Sequence, residues 1–208
     1  VITGILYLID YKKTNITISK AVPIALTVVF GFCAVAMIGI MVYFSCIDTE
    51  TDLGSFERII RFNDIWGTHR GFMWIRSIWI FGDASFIEKL FGVGPDMFYS
   101  AFSPYFDDLS KYGDSSTNAA HNEYLNYLIT IGITGLLSYL AIVCGTIKNA
   151  VKYAKENPML IACVSAVICY AVQAVVNLYQ PITTPLFFIF IALCEAFVRN
   201  AKAEKSAV

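Results

Sequence analysis

Charge is scarce in this sequence. Asp, Glu, Lys and Arg make up 15% of 208 residues, hydrophobic residues make up 57%, and mean hydropathy is +0.63. A soluble domain of this size carries about 25% charged residues, so the balance excludes one and points to a polytopic membrane protein. Cysteines are present but unpatterned. Cys33, Cys46, Cys144, Cys163, Cys169 and Cys194 show neither CxxC nor Cys/His spacing, and all fall in or beside apolar runs. They read as small packing residues rather than metal ligands. No signal peptide of the cleaved kind is expected.

What the chain does have is long runs without charge. Ala21–Ile47 gives about 27 uncharged positions and Tyr124–Ile147 about 24, each enough to span a bilayer core. Asn157–Cys194 is uncharged over about 38 positions, too long for one span and suited to two. Asn177-Leu-Tyr-Gln-Pro-Ile-Thr-Thr-Pro185 carries turn signals that divide it into a helical hairpin. The apolar opening, Val1–Ile9, is too short to cross and reads as the tail of an earlier helix. The chain is therefore expected to be the C-terminal part of a longer protein. The expected fold is an all-α polytopic membrane protein, a single membrane domain over 1–208. Its four complete transmembrane helices lie near 21–47, 124–147, 159–177 and 182–198, with a long loop at 48–123 that contains short interfacial helices.

The few charges are segregated. Lys12, Lys13 and Lys20 precede the first span, Lys148, Lys152 and Lys155 follow the second, and Arg199, Lys202 and Lys205 follow the last. These clusters alternate with the 48–123 loop and the hairpin turn. By the positive-inside rule the clusters are cytoplasmic and the long loop faces outward.

That loop is not uniform. Asp48-Thr-Glu-Thr-Asp52 is acidic, as solvated loops commonly are. Trp66–Phe81 sets Phe72, Trp74, Ile75, Ile78, Trp79 and Phe81 around Arg70 and Arg76, which reads as an interfacial helix with Arg70 and Trp74 on one face. Phe91-Gly-Val-Gly-Pro-Asp-Met-Phe98 reads as a glycine turn that lets backbone approach a ligand, but it lacks the strand–turn–helix context of a nucleotide loop. Residues 103–118 read as a polar surface loop.

The loop ends in His121-Asn-Glu at the mouth of the second span. An imidazole there can exchange a proton near neutral pH with a substrate whose anchor lies in lipid. The alternative is a polar cap on the helix. Asn122, Asn126, Thr130, Thr134 and Ser138 recur every four residues as a polar stripe, with Gly132 and Gly135 close by; Thr130 through Ser138 read as helix packing, and Asn122 and Asn126, one turn from His121, as sharing in the site.

Arg70-Gly-Phe-Met-Trp74, Gly92-Val-Gly-Pro-Asp-Met-Phe98, His121-Asn-Glu-Tyr-Leu125 and Gly132-Ile-Thr-Gly-Leu136, in that order, resemble the O-antigen ligase and polymerase family of bacterial membrane glycosyltransferases. The likeness covers about Trp66 to Leu140; Thr130 departs from it, standing where the family often carries a glutamate. The resemblance implies transfer of saccharide from a polyprenyl diphosphate-linked donor to a hydroxyl of a glycan or lipid acceptor. Transfer would occur at the outer face of the inner membrane, with no metal, no cofactor and no nucleic-acid partner. It makes His121 the base and Arg70 the diphosphate clamp. Arg76, Asn122 and Glu123 become further substrate-binding candidates, and a second phosphate-binding arginine would lie upstream. The fork of guanidinium donors suits phosphate oxygens.

Two other function classes fit a chain of this composition: a transporter or flippase for lipid-linked saccharides, and a non-catalytic scaffold. A transport path needs polar groups midway along helices, and only Gln173 and Glu195 are strongly polar in the last three spans. The arrangement of charge predicts that a cysteine at Ser110 is labelled by an impermeant thiol reagent in intact cells, in a cysteine-free background, while one at Asn149 is not. Labelling at Asn149 and not at Ser110 would invert the topology.

Overall fold

Lipid offers the backbone no hydrogen bonds, so uncharged runs of this length close theirs internally as helix. The computed structural model describes residues 21–206, with side chains from residue 25. The opening 1–9, read as a helix tail, and the positive link 10–20 lie outside the described residues. The described chain is helical and holds no strand. In order come α1 (Ala21–Cys46), a 3-10 turn at Gly54–Phe56, α2 (Glu57–Ile60), α3 (Trp66–Asp83), α4 (Phe86–Phe91) and α5 (Phe98–Phe102). A second 3-10 turn at Ser103–Tyr105 precedes α6 (Phe106–Ser110), α7 (Glu123–Thr130), α8 (Gly132–Tyr153), α9 (Met159–Gln173) and α10 (Thr183–Ser206).

Among the described residues two helices are long and apolar enough to cross a membrane: Ala25–Cys46 within α1, and α8. From residue 25 onward the side chains of α1 point almost wholly outward, Phe32 being 74% exposed, as expected of a helix solvated by lipid. The 15 residues of α9 are apolar but reach only ~22 Å, short of a ~30 Å hydrocarbon core. That helix stops at Gln173, not at the expected 177, and α10 starts at Thr183 and runs to Ser206. Pro185 fits the first turn of α10, where no amide donor is needed.

The chain divides into two compact units. The hairpin unit comprises residues 21–29, 138–174 and 179–206. In it the end of α8, α9 and α10 pack around Ala150, Leu160, Cys163, Val164, Cys194 and Val198, so two of the six cysteines serve as core residues. Tyr170 stacks on Phe187 at 4.2 Å and shares a hydrogen bond with Thr184.

The loop unit, Phe30–Leu137 with Val175–Leu178, has its own core of Phe72, Met73, Phe98, Phe102, Leu109, Ala120 and Ile129. Burial of each large side chain stabilises by about 1.5–3 kcal/mol. Phe98, Phe102 and Leu109 come from the stretch before the polar loop, at helical spacing. Residues 103–110 are accordingly helical and Leu109 is buried, so the expected loop 103–118 shrinks to 111–122. The aromatic helix α3 buries Gly71, Phe72, Met73 and Ser77 and exposes Ile78 and Trp79. It is thus a core helix with an apolar outer face. Arg61 ties this unit to the end of α1, donating from Nε to Phe44 O (3.1 Å) and from Nη2 to Thr51 O (2.7 Å).

The largest correction concerns the expected span 124–147. It is two helices, broken at Ile131–Gly132, and Gly132 has φ 69°. The break leaves the last carbonyls of α7 without helical partners. The glycine turn supplies them: Val93 N donates to Ile129 O (2.9 Å) and Gly94 N to Thr130 O (3.0 Å). Thr134 Oγ1 in turn donates to Leu90 O (2.7 Å) at the end of α4. Contact is so close that a Cβ on Gly92 would stand 2.3 Å from the Thr130 carbonyl, and one on Gly132 would stand 2.4 Å from Leu90 O. The backbone that Gly92–Gly94 approaches is the chain's own.

Both glycines also have positive φ, so alanine there meets strain of about 1–2 kcal/mol in addition to the clash. Gly132→Ala and Gly92→Ala are predicted to lower the thermal unfolding midpoint of the detergent-solubilised protein substantially. Gly145→Ala, with nothing within 4 Å of its Cβ, is predicted to leave it unchanged or raised. Equal midpoints for all three would remove the interlock from the account.

Candidate functional site

His121 sits at the junction of the 111–122 loop and α7. Its neighbours Ala119, Ala120, Asn122 and Glu123 are all buried, whereas His121 itself is only partly covered. Its φ of 51° is left-handed, a conformation that costs a non-glycine residue about 1–2 kcal/mol. Such strain persists only where the surroundings over-determine it. Here Thr117 Oγ1 donates to Ala119 O (2.8 Å) on one side, and Asn122 Oδ1 accepts from Leu125 N (3.0 Å) as the N-cap of α7 on the other. The cap of α7 is therefore Asn122, not His121.

Burial pushes the His121 imidazole below its ordinary pKa, and the Arg70 charge pushes it further, against a smaller opposing pull from Asp114. Both leading causes disfavour the imidazolium, so the ring is neutral at neutral pH. A neutral imidazole is ready to accept a proton.

Arg70 opens the regular part of α3. The three residues before it, Gly67, Thr68 and His69, all have left-handed φ, and Arg70 Nη1 donates to Gly67 O (2.8 Å) across that turn. Arg70 Nε and Trp74 Nε1, one helical turn apart, are both buried without a hydrogen-bond partner among the described residues. Two orphaned N–H donors cost about 1–3 kcal/mol each. Arg76 Nε nearby is enclosed without a partner in the same way.

Arg76 is differently placed. Both of its terminal nitrogens are taken by Asp64, at 2.8 and 2.9 Å, and its guanidinium lies 4.2 Å from the Phe72 ring and 4.6 Å from the Trp79 ring. Tyr112 adds a long contact to Asp64 (3.4 Å), and His69 stacks on Tyr112 at 4.9 Å. Burial and, after it, the Asp64 charge raise the Tyr112 pKa, so its hydroxyl stays protonated. Glu123, 1% exposed, accepts from Tyr127 Oη at 2.9 Å.

Of the five residues expected at the site, His121 and Arg70 interact electrostatically. Arg76 is committed to Asp64, Asn122 to the cap, and Glu123 to a buried bond with Tyr127. The sequence reading passed over Asp64, His69 and Tyr112. His69 adjoins Arg70 in sequence, and that adjacency was the available signal; Asp64 and Tyr112 are joined to the site only by folding. No cluster of three or more His, Cys, Asp or Glu that could hold a metal occurs among the described residues.

The described residues thus form a helical protein with two helices apolar enough to span a membrane, and with a histidine that interacts electrostatically with an arginine at the start of a regular helix. The sequence profile of the O-antigen ligase family matches residues 1–140, and the chain belongs to that family. Members are inner-membrane glycosyltransferases of the ligase type, with a lipid-linked saccharide donor and a glycan acceptor. No curated protein and no solved structure is detectably similar to the chain.

The chain has two histidines, so His69→Gln leaves His121 as its single imidazole. In that background the ring resonance of His121 is predicted to titrate below the ordinary value of 6.5. Arg70→Gln removes a cation that opposes protonation and should raise the midpoint; Asp114→Asn removes an anion that favours it and should lower the midpoint. A midpoint above the ordinary value, or one indifferent to Arg70→Gln, would contradict this electrostatic arrangement.

Proposed function

We propose that the chain transfers saccharide from a polyprenyl diphosphate carrier to an acceptor hydroxyl at the outer face of the inner membrane, with His121 as general base and Arg70 binding the donor diphosphate. The observation that carries this reading is the neutral, strained His121 within electrostatic reach of Arg70, whose buried Nε has no partner. In this reading the acceptor oxygen attacks the anomeric carbon. The new glycosidic bond forms as the bond from that carbon to the diphosphate oxygen breaks. The acceptor proton passes to His121, and the electron pair leaves with the diphosphate, whose charge Arg70 stabilises. No metal takes part. Arg70 and Trp74 donate to phosphate oxygens; Arg76, Asn122 and Glu123 act as positioning residues through Asp64, the α7 cap and Tyr127. Residues 1–208 form one membrane domain with four crossings, namely α1, the α7–α8 run, α9 extended by the apolar turn at 174–176, and α10, and residues 48–123 lie outside.

The test is transfer of saccharide from polyprenyl diphosphate donor in membranes that hold the full-length protein. His121→Asn and His121→Gln keep a polar side chain but cannot act as a base, and are predicted to lose about 10²–10⁴-fold in rate while retaining donor. Arg70→Lys keeps charge but loses the fork, and should impair transfer strongly with weaker donor retention. Well-expressed His121→Asn with near wild-type transfer would remove His121 from the chemistry.

A further inference from the structure

A cavity of about 440 Å³ opens beside His121, within the size range of ligand pockets. Its floor is apolar: Met73 and Leu109, both nearly buried, with the half-exposed ring of Tyr99 beside them. Its rim is polar, made by Asp114, Ser116 and Asn118 of the 111–122 loop, and Thr117 is already spent on Ala119. The side chains of Asp114, Ser116 and Asn118 are exposed and make no hydrogen bond among the described residues. The site thus offers a carboxylate, a hydroxyl and an amide over an apolar floor, with His121 in the wall. Neither Arg70 nor any other cation lines it.

The geometry points to this cavity as the subsite for an uncharged sugar ring of the acceptor glycan, an assignment that rests on His121 being the base. A pyranose presents hydroxyls around its edge and C–H bonds on its faces. The edge needs mixed donors and acceptors, which Asp114, Ser116 and Asn118 provide. The faces need apolar surface, which Met73, Leu109 and Tyr99 provide. The wall shared with His121 brings an acceptor hydroxyl to the group that takes its proton. Charge decides the class of sugar. A phosphorylated or uronic-acid ring would set its anion beside Asp114 with no cation in the lining to offset the repulsion, so the rim selects against it. The donor diphosphate, an anion, belongs on the Arg70 and Trp74 side instead.

The test is saturation-transfer NMR on the full-length protein in detergent, with methyl glucoside and methyl glucuronide as probes, at a pH where His121 is neutral. The wild type is expected to saturate the glucoside and not the glucuronide. Ser116→Ala with Asn118→Ala should weaken the glucoside by about three- to tenfold, the loss of one or two hydrogen bonds. Asp114→Asn should admit the glucuronide, a gain that misfolding cannot imitate. His121→Asn should bind the glucoside as wild type does while losing transfer. Saturation of neither sugar, equal saturation of both in the wild type, or glucoside binding indifferent to the double substitution would each overturn the assignment. A His121→Asn protein that still transfers saccharide would instead sink the base and leave the binding result to stand on its own.

Discussion

Two backbone hydrogen bonds, Val93 N to Ile129 O and Gly94 N to Thr130 O, hold the loop unit in register with its broken helix. A helix that stops inside an uncharged run exposes carbonyls that apolar surroundings cannot satisfy, and each orphaned group costs about 1–3 kcal/mol. The turn Gly92–Gly94 satisfies them because glycine lets its backbone come within contact distance of Thr130 and Ile131. The eight-residue helix α7 is then tied at both ends, by the Asn122 cap before and by the glycine turn after. With Asn126 and Ile129 buried along its length, it cannot rotate, and the strained residue at its mouth, His121, stays where the loop delivers it.

The arginines of the loop unit sort by what occupies their donors. Arg61 is spent on backbone carbonyls and Glu57, and Arg76 on Asp64 between two aromatic rings. Both are structural in this geometry: removing either would strand buried or half-buried partners. Arg70 commits one terminal nitrogen to a turn carbonyl, while its other terminal nitrogen makes no hydrogen bond among the described residues; like Arg76, it also keeps a buried, unbonded Nε. Its charge acts on His121, lowering the imidazole pKa. An anion bound at Arg70 would offset that charge and make His121 more basic, so in the proposed reaction donor binding would strengthen the base through a single Coulombic interaction.

Much of this was legible in the chain. Long uncharged runs marked α1 and the starts of α9 and α10, and the spaced motifs around Arg70, Gly92 and His121 marked the family; α8 was expected only as part of one longer span. The break at Gly132 was not legible, because a glycine inside an apolar run reads equally as a packing residue, and its reason lies 40 residues away in Gly92. Arg76 looked like a substrate ligand for a similar reason. Its partner Asp64 lies outside the helix, and only folding brings the two together. The helical stretch 103–110 was hidden by its polar residues, although Phe98, Phe102, Phe106 and Leu109 already stood at helical intervals.

The account depends most on the clasp between the glycine turn and the helix break, which amide hydrogen exchange reads directly. If the clasp holds α7 in place, the amides of Val93 and Gly94 exchange as slowly as those inside α3, and far more slowly than those of residues 113–118. Exchange at Val93 and Gly94 as fast as in that open loop would mean that the broken helix is not clasped, and that His121 is not held by the geometry described.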